Sequence, residues 1–133
     1  MAFFEDHLEI RQSNITNAGN GLFTTQSIPK GTIILEYTGN ITNWKSVMAD
    51  KSVNCYLFYV TQNHVIDASN HLNMLGRYVN DARGRTRLKG YRNNARYIKD
   101  KKKIFLEAST RIPAGAEIFA HYGAEYWKNM SDF

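Results

Sequence analysis

The sequence predicts a mostly β domain: several small curved sheets with one or two short helices. Three observations carry this. β-Branched and aromatic residues recur in short runs with the length and composition of strands. Gly, Pro and Asn separate those runs at turn positions. No βαβ alternation of the kind that builds a parallel sheet is visible. The 133 residues fit a single domain, 1–133, large enough to bury a core without disulfides or metal.

Taken in order, Leu8-Glu9-Ile10-Arg11 alternates as a strand does, and Thr32-Ile33-Ile34-Leu35-Glu36-Tyr37 is β-branched and aromatic. Tyr56 to Val60 is another such run. The turn-like Thr61-Gln62-Asn63-His64 and a returning Val65-Ile66-Asp67 make it a hairpin. Residues 103–108 and 117–120 are further strands, and residues 44–53 and 70–79 are the two places for a short helix. Ile28-Pro29-Lys30-Gly31 and Ile112-Pro113-Ala114-Gly115 repeat one I-P-x-G turn, each before an apolar strand. Asp67 is placed to close a turn or to cap the segment from Ser69.

Composition narrows the class of protein. One cysteine, Cys55, allows neither an internal disulfide nor a cysteine-rich zinc site. No apolar stretch approaches the ~20 residues of a membrane span. The acidic start, Met1 to Asp6, does not resemble a signal peptide. A soluble intracellular protein is expected. His7, His64 and His71 show no metal-ligand spacing, so no metal is expected. The net charge of +5 is concentrated: residues 77–103 hold eleven Lys/Arg and two acids, the rest six Lys/Arg and ten acids. That segment reads either as a contact for an anionic partner such as nucleosomal DNA or as a solvated loop. Eight Tyr, seven Phe and two Trp are many for this length. They read as a large aromatic core or as an aromatic site.

Four short motifs are unremarkable singly: Gly19-Asn20-Gly21-Leu22-Phe23; Tyr37-Thr38-Gly39; Gly76-Arg77-Tyr78-Val79-Asn80-Asp81-Ala82 with Asn94-Ala95 downstream; and Glu117-Ile118-Phe119-Ala120-His121-Tyr122-Gly123. The first is not a dinucleotide loop, because Thr24 stands where a third glycine belongs and strand-like sequence follows. Their order and spacing matter more. Together they resemble the SET-domain family, whose motifs run G-x-G, Y-x-G, R-F-I-N-H-S…P-N and E-L-x-x-D-Y-G. The resemblance extends from Leu8 to Trp127. Residues 54–77 look most like the histone H4 lysine monomethyltransferase branch, and the brevity looks like the small viral SET enzymes.

The resemblance implies a SET fold whose C-terminal segment threads through a loop as a pseudoknot. It also implies a protein-lysine N-methyltransferase that uses S-adenosylmethionine (AdoMet) on a histone tail, in a cell nucleus or a host's. By resemblance Tyr122 is the catalytic hydroxyl at the point of methyl transfer, and Tyr37 lines the lysine channel with Ala120. Gly19, Asn20, Gly21 and Leu22 give backbone contacts to the cofactor. Asn80 bonds its amino-acid moiety, with Arg77 and Asp81 beside it. Tyr56 sits near it and Trp127 packs on its adenine. The chemistry agrees: a lysine with a pKa of about 10.4 must attack as the neutral amine, which an apolar aromatic channel favours.

There are departures. Asp81 replaces the motif's His and Ala82 its Ser; no Pro-Asn pair follows; the flanking cysteine-rich zinc modules are absent, leaving residues 126–127 to wall the channel. Ala120 is small where the H4 branch has a tyrosine. His121 is read as facing away from Tyr122. Two other functions fit parts of the sequence. One is a catalytically weak SET-like module that docks on chromatin or nucleic acid through residues 83–103; the presence of both Tyr122 and Asn80 argues against it. The other is an unrelated nucleic-acid-binding β domain, which would want aromatics interleaved with the basic residues. Residues 83–103 offer only Tyr91 and Tyr97, so it ranks last.

Overall fold

The computed structural model describes residues 4–15, 18–49, 57–71, 74–82 and 92–121. A 3-10 turn, Glu5–His7, leads into β1 (Leu8–Gln12), which pairs antiparallel with β2 (Asn20–Thr24). β3 (Ile33–Tyr37) and β4 (Asn40–Thr42) follow, then α1 (Trp44–Ala49), and then the hairpin β5 (Leu57–Thr61) and β6 (His64–Asp67). A second 3-10 helix, Leu75–Tyr78, precedes the hairpin β7 (Ala95–Asp100) and β8 (Lys103–Ala108) and the two-residue β9 (Ala120–His121). Besides the β1–β2 pair there are two sheets, ordered β3-β8-β7-β9 and β4-β6-β5. This is the mostly β architecture of small sheets that the sequence predicts.

The strand patterns work as alternation requires. In β8, Ile104, Leu106 and Ala108 are buried between the exposed or half-buried Lys103, Phe105 and Glu107. Leu106 joins Leu22, Ile34, Leu35, Val79 and Ile118 in the main core, while Tyr37, Val60, Ile66 and Ile104 form a second cluster. The helix expected from Trp44 starts where Asn43 caps it: the Asn43 side chain accepts the Ser46 N–H at 2.8 Å. Trp44 meets Tyr59 edge to face at 5.5 Å. Asp67 accepts the Ser69 N–H at 2.9 Å, as the turn reading requires.

Three elements differ from expectation. Among the described residues of 70–79 the helical element is the 3-10 helix Leu75–Tyr78. Residues 117–120 form bridges and only the short β9 instead of one strand. β7 was not foreseen, because Arg96, Lys99 and Asp100 give it the composition of a solvated segment. Its place beside β8 comes from tertiary pairing rather than propensity. The threading expected of residues 122–133 lies outside the described residues.

The I-P-x-G repeat is a local two-fold. Ile28 and Ile112 face each other and exchange both backbone hydrogen bonds, at 2.8 and 2.9 Å. Thr32 N–H donates to the Pro29 carbonyl and Ala116 N–H to the Pro113 carbonyl, each at 3.2 Å. Gly31 and Gly115 hold φ of 88° and 84°, the left-handed third position of a type II turn. The Gly31 N–H reaches the Ala108 carbonyl at the end of β8, as the Gly115 N–H reaches the Thr24 carbonyl at the end of β2, both at 2.8 Å. The two turns therefore tie β3–β8 and β2 to one buried isoleucine pair.

Ile28 and Ile112 are each 0% exposed. Ile28→Ala and Ile112→Ala should each lower the unfolding free energy by about 2–5 kcal/mol. The double variant should lose less than the sum, because the two residues share one contact. Urea unfolding of the three variants measures this; fully additive losses would contradict the shared core.

Candidate active site

The strand-like stretch 117–121 carries the fourth motif and is held from both sides. On one side Glu117 bridges Phe23 antiparallel, and the Ile118 N–H donates to the Leu22 carbonyl at 2.8 Å. On the next residues the partners change. Phe119 bridges Asn80 in parallel and the Ala120 N–H donates to the Asn80 carbonyl at 3.0 Å. Opposite, β9 pairs in parallel with β7 through Ala95–Ala120 and Arg96–His121. The first, third and fourth motifs thus meet along one short seam.

Glu117 sits at its centre. The residue is 2% exposed, and its carboxylate takes hydrogen bonds from three donors. Oε2 accepts the Ser13 hydroxyl at 2.7 Å and the Asn80 amide at 3.3 Å, and Oε1 accepts the Asn14 N–H at 2.7 Å. A buried carboxylate is tolerable only when its oxygens are bonded in this way. The Asn80 amide also donates to the Asn20 carbonyl at 3.1 Å. The two glycines of the first motif have different duties. A Cβ on Gly21 would collide with the Glu117 carboxylate, so Gly21 makes room for a neighbouring side chain. Gly19 has φ 73°, and among the described residues no heavy atom lies within 4 Å of where its Cβ would stand.

Side chains replace the ladder where the backbone is irregular. Asn94 donates to the Glu117 carbonyl and accepts the Phe119 N–H, both at 2.9 Å. Asn93 donates to Asp81 Oδ1 and accepts the Ala82 N–H, both at 2.9 Å. Asp81 Oδ2 lies 4.0 Å from His121 Nε2. Ala82, where the motif has Ser, is fully buried and packs with Ile15 and Phe119, an apolar setting that suits a methyl.

The structure therefore gathers Asn20, Gly21, Leu22, Asn80, Asp81 and Ala120 at one place, with Gly19 at its edge. Tyr37 and Arg77 have described partners of their own. Tyr37 is 2% exposed and packs against Phe58 and Tyr97, with ring centroids at 5.5 and 6.0 Å. Arg77 donates through Nη1 to the carbonyls of Ala68 and Ser69, both at 3.1 Å. Tyr56, Tyr122 and Trp127 lie outside the described residues. Sequence reasoning placed Glu117 and Asn94 in motifs without giving them a role, and passed over Ser13 and Asn93. Glu117 had a signal: it is the one carboxylate opening an otherwise apolar run, Ile118-Phe119-Ala120. The adjoining Asn93-Asn94 pair just before a strand was the other.

Small sheets gathered around a late strand, itself gripped by a glycine hairpin and an Asn-Asp segment, are the arrangement of a SET domain. A SET-domain family model matches residues 19–123, and the chain belongs to the SET-domain family. It is similar to the N-lysine methyltransferase KMT5A-A of Danio rerio, 32% identical over 132 residues, with 90% of this chain and 36% of that protein covered. The Xenopus laevis protein of the same name is 29% identical over 127 residues, covering 86% and 36%. The histone-lysine N-methyltransferase trithorax of Drosophila melanogaster is 29% identical over 85 residues, covering 58% of this chain and 2% of that protein. The chain spans about a third of the length of the first two.

Glu117→Gln turns one acceptor oxygen into a donor facing other donors. It should lower stability by about 1.5–3 kcal/mol, the value of hydrogen bonds to a charged group. Glu9→Gln, at an exposed pair with Arg11, should stay within about 0.5 kcal/mol. Chemical unfolding of both variants at neutral pH measures the difference.

Proposed function

We propose that this chain is an AdoMet-dependent protein-lysine N-methyltransferase that acts on a histone tail. The observation that carries this reading is the seam itself. Residues 19–22, Asn80–Asp81 and 117–121 converge immediately before Tyr122 in the chain. Relatives matching most of the chain are named N-lysine methyltransferases, and another is named a histone-lysine methyltransferase. These names support a lysine side chain as the methyl acceptor.

The residues at the seam fit the cofactor. Among the described residues nothing fills the space beside Gly19, where a ligand could approach the main chain. Asn20 is exposed and Asn80 half-buried beside it, so polar groups border that space. When bound, AdoMet supplies a methyl group on a sulfonium. The chain's residues bind and orient. The backbone of residues 19–22 and the Asn80–Asp81 segment hold the polar parts, Trp127 covers the adenine, and Tyr56 and Arg77 border the site. Tyr37, Ala120 and Tyr122 line the lysine channel. Its aromatic, apolar walls favour the neutral amine, and the Tyr122 hydroxyl orients that amine in line with the methyl. No strong base is required.

Tyr122→Phe should lower methyl transfer by on the order of 10²–10³, with AdoMet affinity nearly unchanged. Calorimetry with AdoMet, and mass spectrometry of core histones incubated with AdoMet and each protein, read the two effects. No cofactor binding, or a Tyr122→Phe variant with wild-type turnover, contradicts the proposal.

Nucleosomal DNA is the second partner of this reading. Lys99, Lys101, Lys102 and Lys103 are exposed around the tip of the β7–β8 hairpin. Lysines there neutralise phosphates and release counterions. Replacing Lys101, Lys102 and Lys103 by Gln should lower nucleosome methylation by about ten-fold at low salt. A free peptide should be methylated as before, and the difference should shrink as salt rises. Equal loss on the peptide would show the hairpin tip to be structural.

A further inference from the structure

We propose that Asp81 and His121 form a positioning pair that fixes the end of β9 against the Asn80 segment. In this chain the pair carries its two residue types in the order opposite to the family motif. The effect on methyl transfer rests on the function proposed above; the effect on structure does not.

The geometry is as follows. The Asp81 side chain is 1% exposed, and its Oδ2 lies 4.0 Å from Nε2 of His121, whose side chain is 52% exposed. Its other oxygen is already fixed, since Oδ1 accepts the Asn93 amide at 2.9 Å. Asn93 in turn accepts the Ala82 N–H, so the carboxylate cannot swing without breaking that clip. The backbone ladder between the two segments runs through the Asn80–Phe119 bridge and the hydrogen bond from the Ala120 N–H to the Asn80 carbonyl. The Asp81–His121 pair is the next rung, made of side chains. A buried carboxylate gains from a cationic or hydrogen-bonding neighbour. A half-exposed imidazole can serve as that neighbour without itself being desolvated. His121 directly precedes Tyr122, so whatever holds its ring holds the entry to the catalytic residue.

The sequence supplies an independent argument. The third motif of the family has His where this chain has Asp81, and the fourth has Asp where this chain has His121. Taken one at a time, each departure is the loss of a motif residue. Taken together they exchange the same two residue types between two segments that face each other. Two positions that do not meet have no reason to change in this compensating way; two side chains that face each other at 4.0 Å do.

The test is the exchange itself. Asp81→His, His121→Asp and the double variant are compared for amide hydrogen exchange at Ala120 and for turnover on a lysine peptide. Each single variant should speed exchange at Ala120 and lower kcat by about ten-fold. The double variant should return both quantities to within about three-fold of the parent. Losses that multiply in the double variant overturn the pairing. Faster exchange at Ala120 with unchanged kcat overturns the positioning role. Should Asp81→His fail to fold, the cycle of Asp81→Asn and His121→Ala decides. A double variant no worse than either single supports the pair, and independent losses overturn it. A parent protein that binds no AdoMet and methylates nothing contradicts the proposed function. The Ala120 exchange rates then still decide whether the pair exists.

Discussion

The buried carboxylate of Glu117 is the constraint around which the rest is arranged. It brings a charged group to a place with 2% exposure, and that is tolerable only if donors converge on it. Those donors come from two distant stretches of chain, Ser13–Asn14 and Asn80, more than thirty residues away in either case. Gly21 is part of the same bargain, because any side chain there would occupy the carboxylate's position. The glycine of the first motif, the asparagine of the third and the glutamate of the fourth are therefore one physical unit written in three parts of the sequence.

This unit explains why the fold tolerates so little regular structure at its centre. Residues 117–121 change partners almost at each step, from β2 to Asn80 to β7. A strand that changes partners leaves backbone groups facing neighbours out of register, and each must still find a hydrogen bond. Asparagine side chains supply them. Asn94 acts as a short artificial strand, offering a donor to the Glu117 carbonyl and an acceptor to the Phe119 N–H. Asn93 accepts the Ala82 N–H while donating to the Asp81 carboxylate, and the Arg77 guanidinium donates to the carbonyls of Ala68 and Ser69. An amide carries donor and acceptor at the spacing of a peptide group, so it can complete a ladder from outside.

These facts set what was legible in the sequence. β3, β5, β6 and β8 were readable because burial on one face leaves alternation or β-branched runs in the residues themselves. The paired I-P-x-G turns were readable because their chemistry is local. β7 was not, since its Arg96, Lys99 and Asp100 face solvent and its pairing is supplied by β8. β9 is two residues long, below any periodicity. The motif residues at the seam could be named from their order along the chain, but the reason for them could not. Nothing in Gly19-Asn20-Gly21 says that one glycine yields space to a glutamate almost a hundred residues on while the other has no described neighbour within 4 Å of its Cβ position.

That division of labour bears on how such a small domain could bind a ligand firmly. A glycine-rich turn is by default pliable, and pliability costs affinity because ordering it on binding must be compensated. Here the pliable element is tied down before any ligand arrives. Gly21 is wedged against Glu117, Asn20 is bonded through its carbonyl to Asn80, and the Leu22 carbonyl takes the Ile118 N–H. Gly19, at the end of this tied stretch, meets no described residue within 4 Å of its Cβ position. The same contacts that satisfy a buried carboxylate thus preorganise the backbone next to it. The residue best placed for core stability, Glu117, is then also the one whose loss would loosen the edge where a ligand would lie.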